Sequence, residues 1–379
     1  MTEHWIIPDA VFDGQRLHRG MCVLADDTKI LATEMALPAG ATGQRVEGII
    51  TPGFVDLQVN GGGGVLLNYD PTAQGMAAIA AAHRKFGTVA ILPTVITDAP
   101  EVLAAVVDAA LGAQGMDGIA GLHIEGPHIA EARRGTHAAR FIRPLDDGTI
   151  AQVTKLRAAG IAVMITVAPE AAAPAQIAKL RQTGAIVSIG HTDGSAALTR
   201  TALDAGATCF THLFNAMSPM LNRAPGVVGA AINSDAYAGV ICDGIHVADE
   251  MLGLALRARP VSDRMFLVSD AMPTVGGPDH FNLYGQTISL KNGELVNEEG
   301  SLAGAHVTQL EGVARLISEV GISPEAALRM AITVPADLMV LPQLATLVGR
   351  RVSDVIHLDK NFGTASDLPR ARLVTAAQR

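Results

Sequence analysis

The chain has 379 residues, 49% of them hydrophobic, and a formal net charge of −9 at pH 7. This acidic balance argues against nucleic acid or an anionic membrane as a general partner, since both are negatively charged. Three cysteines are too few for a disulfide framework or a zinc ribbon, and they predict a reducing, cytoplasmic setting. No apolar run approaches the roughly 18 residues that span a bilayer, and the first residues do not resemble a signal peptide.

Short strands broken by polar turns are predicted for the first fifty residues, which show no helical period. After residue 51, strand-like apolar runs alternate with alanine-rich amphipathic stretches. Eight such runs end near Val59, Val95, Glu125, Val167, Gly190, Thr211, Cys242 and Ser269. Alternation of strand and helix eight times is typical of a (β/α)8 barrel of the TIM type.

The last third of the chain mixes both kinds of structure. Residues 282–300 predict a hairpin that turns at Asn292-Gly293. Helical stretches follow, and Ser323 is a suitable N-cap for the second of them. The tail, with the runs VSDVIHLD and ARLVTAA, is β-like again.

These elements together predict an α/β protein with two parts. A (β/α)8 barrel is expected over residues 52–343. A small β-sandwich domain is expected from both chain ends, residues 1–51 and 344–379.

Four of the predicted strands end at residues that can bind a metal or move a proton: Glu125, His191, His212 and Asp270. These residues meet if the strands are parallel, because a barrel gathers the C-terminal ends of its strands on one face. A lone histidine after a strand is more often structural, but two histidines and a carboxylate shift the balance towards a metal site. Such a set leaves a coordination position open, as in catalytic zinc sites, and also suits Fe(II). Asp270 is then a candidate general base towards a water that the metal activates, with N-capping as its structural alternative.

Other polar residues of the same strands are weaker candidates. His123 faces the barrel lumen like Glu125 but one layer deeper, which favours a core role. Gln58 and Asn60 are neutral and poor ligands beside histidine. The glycines that follow them lack a Walker lysine and a dinucleotide fingerprint, so nucleotide binding is excluded there.

The motifs of essentially the whole chain resemble the N-acetylglucosamine-6-phosphate deacetylase family of the amidohydrolase superfamily. The motifs that carry the resemblance are PGFVDLQVNGGGG, HIEGPH followed by RRGTH, SIGHTDG, THLFNAM, CDGIHV and LVSDAMP. The resemblance implies metal-dependent conversion of N-acetylglucosamine 6-phosphate to glucosamine 6-phosphate and acetate, in amino-sugar catabolism.

The resemblance also implies roles for particular residues. Glu125, His191 and His212 would bind one divalent ion, zinc in the first instance and Fe2+ as the alternative. Asp270 would be the general base and acid, and His137 would polarise the acetyl carbonyl.

A further set of residues is implied in substrate binding. It comprises Thr136, His137, Asn215, Ala216, Arg223, His246, Leu302, Ala303 and Gly304. Within this set, Arg223 and His246 would hold the phosphate. Members of the family are typically homodimers in which the neighbouring subunit helps to complete that phosphate pocket.

The chain departs from the wider superfamily at two positions. Many amidohydrolases carry His-x-His on the first strand and a lysine on the fourth, whereas this chain has Gln58-x-Asn60 and no such lysine. This favours a single metal ion, with Gln58 and Asn60 as candidates for a second, weaker one. It also disfavours a cyclic-amide hydrolase of the dihydroorotase type. The galactosamine epimer stays open as a substrate, and a non-catalytic assembly module is disfavoured because all three ligands and the base are present.

Overall fold

The computed structural model describes residues 3–297, 300, 302–363 and 365–367. The β-like run ARLVTAA lies outside the described residues. The first fifty residues form short strands, as their lack of helical period predicts. These strands are β1 (His4–Ile7), β2 (Ala10–Phe12), β3 (Leu17–Arg19), β4 (Cys22–Ala25), β5 (Ile30–Glu34), β6 (Gly43–Arg45) and β7 (Ile49–Pro52).

A parallel barrel follows. The next strands are β8 (Phe54–Val59), β9 (Gly61–Gly62), β10 (Val65–Leu66), β11 (Thr88–Ile96), β12 (Gly121–Glu125), β13 (Ala162–Val167), β14 (Ile186–Ile189), β15 (Cys209–Phe210), β16 (Tyr237–Val240) and β17 (Met265–Leu267). Within the described residues, eight of them form one sheet in the order β8-β11-β12-β13-β14-β15-β16-β17, and neighbouring strands are parallel. The predicted barrel is confirmed, and β9 pairs with β10 outside it.

The first and last barrel strands meet through the residues that follow them. A parallel bridge joins Val59 to Ala271. The backbone N–H of Asp270 donates to the carbonyl of Gln58, and that of Asn60 donates to the carbonyl of Ala271, both at 2.9 Å. This closure places Gln58 and Asn60 directly beside Asp270.

Helices cover the outside of the barrel. They are α1 (Ala73–Arg84), α2 (Pro100–Gly112), α3 (Asp147–Ala158), α4 (Pro174–Gln182), α5 (Ala196–Asp204), α6 (Gly226–Ile232) and α7 (Asp249–Ala258). Alternation along β12 sends Leu122 and Ile124 outward into the main hydrophobic core. His123 points inward, where its Nε2 atom lies 2.8 Å from Oγ1 of Thr166 on the next strand. The predicted core role of His123 therefore agrees with its contacts.

A small antiparallel sheet covers part of the barrel beside the strand ends. It contains β18 (His280–Leu283), β19 (Gln286–Lys291) and β20 (Glu294–Val296). Asn292 and Gly293 turn the chain with φ of 53° and 86°, the left-handed values that a tight hairpin turn requires. The sheet packs against the barrel through Phe281, Leu283 and Ile288, which cluster with Ile96 and Met272.

The next helices are α8 (Gln309–Ser318), α9 (Pro324–Leu328) and α10 (Val334–Leu338). Ser323 caps α9 as predicted, because its Oγ atom accepts from the backbone N–H of Ala326. The helical stretch after Ser323 is not one regular α-helix, since a π-helical turn over Arg329–Thr333 separates α9 from α10. Pro335 has no N–H to donate, which breaks the regular pattern there. In the described part of the chain, no helix combines the length and apolar character that a bilayer crossing needs.

The two chain ends meet in the small β-sandwich. The last strands are β21 (Val355–Leu358) and β22 (Ala365–Asp367), and β21 pairs antiparallel with β7. One sheet has the order β5-β4-β1-β6 and the other β22-β21-β7-β2-β3. Side chains from both sheets share one apolar cluster, which includes Ile6, Val23, Ile50 and Val355. The predicted sandwich is confirmed, while its boundaries at residues 51 and 344 stay a prediction.

Candidate metal centre and active site

Three side chains at the C-terminal ends of the barrel strands converge on one point. Glu125 ends β12, and His191 and His212 each follow a strand by two residues. The Nε2 atoms of the histidines lie 3.1 Å and 3.0 Å from Oε1 of Glu125 and 3.1 Å from each other. All three residues are buried.

The spacing and protonation of this cluster fit a divalent metal. Tetrahedral coordination with bonds of about 2.0–2.1 Å separates neighbouring ligand atoms by roughly 3.3 Å, close to the observed distances. The Nδ1 atom of His191 lies 2.9 Å from the carbonyl oxygen of Arg133, which can only accept. Nδ1 therefore donates, and the lone pair of Nε2 faces the cluster. In metal-binding histidines, a hydrogen bond from the other ring nitrogen commonly orients the ring in this way.

The backbone at these positions adopts left-handed conformations. His191, His212 and Asp270 have φ of 47°, 28° and 52°. Residues other than glycine pay a conformational cost in this region, and such residues concentrate at functional sites. Each of these residues lies two or three positions after the end of a strand, and the left-handed turn directs its side chain towards the cluster.

Asp270 lies beside the cluster and is held by two amides. Its Oδ1 atom accepts hydrogen bonds from Nδ2 of Asn60 at 2.6 Å and from Nε2 of Gln58 at 3.1 Å. Nε2 of Gln58 also lies 3.0 Å from both carboxylate oxygens of Glu125. The amide nitrogens of Gln58 and Asn60 thus face the carboxylates, where they act as donors.

The two carboxyl groups have opposite pKa shifts. Burial, followed by the negative charge of Glu125, raises the pKa of Asp270 to about 6. Burial also acts to raise the pKa of Glu125, but hydrogen bonds to His191 and His212 outweigh it and hold that pKa well below its usual range. A carboxylate pKa near neutrality suits a group that takes up and returns a proton.

His137 completes the polar wall of the site. Its ring centroid lies 4.4 Å from that of His191, and its Nδ1 atom lies 2.7 Å from Oγ1 of Thr97. Burial, followed by the charge of His191, lowers the pKa of His137 to about 3. His137 is therefore neutral at pH 7, and it can act there as a hydrogen-bond donor rather than as a cation.

These side chains surround a cavity of about 180 Å³. Its walls are formed by Asn60, Ile96, Glu125, Gly135, Thr136, His137, His191, His212, Asn215, Ala216, His246, Asp270, Met272, Leu302 and Gly304. Most of the residues predicted from the sequence are therefore brought together. Ala303 instead packs in the cluster beneath the small sheet, and Gln58 lies behind Asp270 and Glu125.

The two predicted phosphate residues differ in position. His246 is on the cavity wall, and its Nδ1 atom lies 2.6 Å from Oδ2 of Asp243. Arg223 belongs to an exposed loop before α6 and is not among the lining residues.

Sequence reasoning missed several residues that shape the site. Ile96 and Met272 line the cavity, and Thr97 holds His137. Ile96 and Thr97 stand at the end of the second barrel strand, a position that carries active-site residues in such barrels. This position was the one signal in the sequence that could have identified Ile96 and Thr97.

A larger cavity of about 570 Å³ lies away from this chemistry, between β11 and the segment 343–354. Arg351 there pairs with Asp117 at 2.7 Å and with Asp354 at 2.9 Å. The positive charge of Arg351 is thus already paired with carboxylates. The smaller cavity carries the converging ligand atoms, so chemistry rather than size locates the candidate active site.

An eight-stranded barrel with this ligand set at its strand ends, flanked by a small β domain, defines a metal-dependent amidohydrolase. No family model matches the chain. It is 38% identical over 318 residues to an N-acetylgalactosamine-6-phosphate deacetylase from Shewanella, covering 82% of this chain and 79% of that protein. It is 31% identical over 303 residues to an N-acetylglucosamine-6-phosphate deacetylase from Haemophilus influenzae, covering 76% of each.

Structural comparison gives the same result. The crystal structure of N-acetylglucosamine-6-phosphate deacetylase from Pasteurella multocida superposes with a TM-score of 0.88 at 30% identity, covering 97% of this chain and 98% of that one. The chain belongs to the N-acetylglucosamine-6-phosphate deacetylase family, whose members are hydrolases of amide bonds.

Proposed function

We propose that this protein removes the acetyl group from N-acetylglucosamine 6-phosphate, giving glucosamine 6-phosphate and acetate. The observation that carries the proposal is the cavity in which Asp270 and His137 face the Glu125, His191 and His212 cluster. The relatives named for this reaction support the substrate class.

The residues of the site match the needs of amide hydrolysis. A bound divalent ion would supply Lewis acidity and make the attacking water more acidic. Asp270 takes the proton from that water and then delivers it to the departing amine nitrogen. Neutral His137 donates a hydrogen bond to the acetyl oxygen, where negative charge develops.

We propose one divalent ion per chain, with Zn2+ as its identity. Two imidazoles and a carboxylate suit zinc, and they also suit Fe2+. Gln58 and Asn60 were candidates for a second, weaker ion. The hydrogen bonds from their amide nitrogens to Glu125 and Asp270 support a different role, which is to orient these carboxylates.

The phosphate is proposed to lie between His246 and Arg223. His246 is on the cavity wall, and its Nδ1 atom is engaged by Asp243, so its Nε2 atom is the one left for a ligand. Arg223 is exposed, which is consistent with a phosphate pocket that the neighbouring subunit of a homodimer completes. Thr136, Asn215, Ala216 and the segment 302–304 are proposed to contact the sugar and its acetyl group.

The galactosamine epimer is a second candidate substrate. The relative at 38% identity is named for N-acetylgalactosamine 6-phosphate, while three relatives named for the gluco epimer are 31–34% identical. The same motifs would serve either sugar.

Acetate release from both epimers, each with and without its 6-phosphate, tests the proposal. We expect at least one phosphorylated sugar to be deacetylated, and both free sugars to be much poorer in kcat/KM. The Asp270→Asn variant serves as the control for the measured release. Release from neither phosphorylated epimer would refute the proposal.

Two further predictions rest on the sequence. A cytoplasmic location is proposed on the sparse cysteines, and all three cysteines are free and buried. The division into a barrel over 52–343 and a small domain from 1–51 and 344–379 is proposed on the strand pattern.

A further inference from the structure

The hydroxyl of Thr97 contacts only one partner in the described residues. Thr97 follows β11 directly and is fully buried. Its Oγ1 atom lies 2.7 Å from Nδ1 of His137, and no other hydrogen bond of this hydroxyl is found among the described residues.

This contact has one chemically satisfactory direction. A threonine hydroxyl carries a single hydrogen, and a buried O–H must find an acceptor. Nδ1 of His137 is the acceptor within reach, so the hydroxyl donates to it. In a neutral imidazole, one nitrogen accepts and the other carries the proton. The proton of His137 therefore resides on Nε2, and the ring lines the active-site cavity.

The neighbouring histidine has the opposite arrangement. Nδ1 of His191 faces the carbonyl oxygen of Arg133, which can only accept, so this ring is protonated on Nδ1. Its Nε2 lone pair is free for a metal. The Thr97 hydroxyl at Nδ1 of His137 thus makes His137 a donor through Nε2, whereas the Arg133 carbonyl at Nδ1 of His191 makes His191 a ligand through Nε2. The two rings differ in this way although their centroids are 4.4 Å apart.

The backbone at Gly126 leaves space for the hydroxyl of Thr97. Gly126 follows Glu125 with φ of +84°, and a Cβ atom built there would lie 2.2 Å from Oγ1 of Thr97. Only glycine provides the necessary space, because any side chain would displace the hydroxyl from His137. The contact between Thr97 and His137 therefore depends on the glycine in the turn that follows Glu125, one of the proposed metal ligands.

We infer that Thr97 is a positioning residue that fixes His137 with its proton on Nε2, as the donor to the acetyl oxygen of the substrate. The assignment to an acetyl oxygen rests on the proposed function. The assignment of the proton rests on the hydrogen bond alone.

Three variants test the role in catalysis. Thr97→Val keeps the shape but removes the donor, and we expect kcat to fall by about 10- to 100-fold with KM little changed, because the donor acts on charge that develops in the transition state. Thr97→Ser keeps the hydroxyl and should retain most of the activity. Thr88→Val is the matched control, since Thr88 begins the strand that Thr97 follows and its buried hydroxyl has no partner among the described residues. Metal content should be equal in all of them.

Nitrogen-15 NMR of histidine-labelled enzyme tests the tautomer directly, with His137→Gln identifying the signals of His137. We expect Nε2–H in the wild type and in Thr97→Ser, and a loss of this preference in Thr97→Val. An Nδ1–H signal in the wild type would overturn the inference, as would an unchanged kcat in folded, metal-loaded Thr97→Val. Failure of the wild type to release acetate from either phosphorylated sugar would instead refute the proposed function and the acetyl role, while the spectrum would still decide the tautomer.

Discussion

The Nδ2 atom of Asn60 lies 2.6 Å from Oδ1 of Asp270 and donates a hydrogen bond to it. Asn60 follows the first barrel strand and Asp270 follows the last one, so the bond lies where the barrel closes. A hydrogen bond to a carboxylate stabilises the ionised form. Asn60 therefore opposes the effects of burial and of the Glu125 charge, which raise the pKa of Asp270.

The pH dependence of activity should report the pKa of Asp270, which these opposing effects determine. If Asp270 is the general base, the reaction requires its ionised form; because burial and the charge of Glu125 raise its pKa to about 6, kcat/KM should fall as the pH decreases through that value. Asn60→Ala removes a stabiliser of the ionised form, so the pKa rises and the acidic limb moves to higher pH. A pH–rate profile for both proteins measures the shift. A limb that stays in place or moves to lower pH would contradict the role of Asn60.

Asp270→Asn should separate chemistry from binding. The amide keeps the shape of the carboxyl group but cannot take the proton of the attacking water. We expect kcat to fall by about 10²–10⁴-fold, the usual contribution of general acid–base catalysis, while metal content stays near that of the wild type. Steady-state kinetics with elemental analysis measures both. Turnover near that of the wild type at any pH would exclude this residue as the base.

Replacement of a ligand should release the metal. His191→Asn and His212→Asn each remove one of the three proposed ligands, and we expect both variants to lose bound metal and activity together. His357→Asn is a control, because His357 lies in the small domain on β21 and should leave metal content unchanged. Full metal occupancy in both cluster variants, measured by elemental analysis, would rule out this ligand set.

Replacement of Arg223 should affect the phosphorylated substrate far more than the free sugar. Its guanidinium suits a phosphate, and binding energy remote from the reacting amide can lower the barrier by orienting it. Arg223→Ala should therefore reduce kcat/KM far more for the 6-phosphate sugar than for the free sugar. Arg200→Ala removes another exposed arginine, on α5, and should change neither value. Equal losses on both sugars would show that Arg223 does not contact the phosphate.

The barrel could be predicted from the sequence because its signals are local. The strands are short apolar runs, most of the helices between them are amphipathic, and the polar residues at the run ends mark the active face. The hairpin at Asn292-Gly293 and the cap at Ser323 follow from backbone preferences of single residues. The interruption of the last helical stretch near Pro335 was visible in principle but was not predicted.

The finer geometry of the site could not be predicted in this way. Nothing at His191, His212 or Asp270 marks a left-handed backbone, since the positions carry no glycine. The contact of Thr97 with His137 joins residues 40 positions apart in the sequence. It depends on the space that Gly126 leaves, which only the folded chain shows.

A metal held by Glu125, His191 and His212 should be required for deacetylation of a phosphorylated amino sugar. The most direct test of this requirement is acetate release from N-acetylglucosamine 6-phosphate and its galacto epimer, measured before metal removal, after chelation and after addition of Zn2+. We expect acetate release to disappear when the metal is removed and to return when it is restored. Acetate release that persists in fully metal-free enzyme would contradict this requirement.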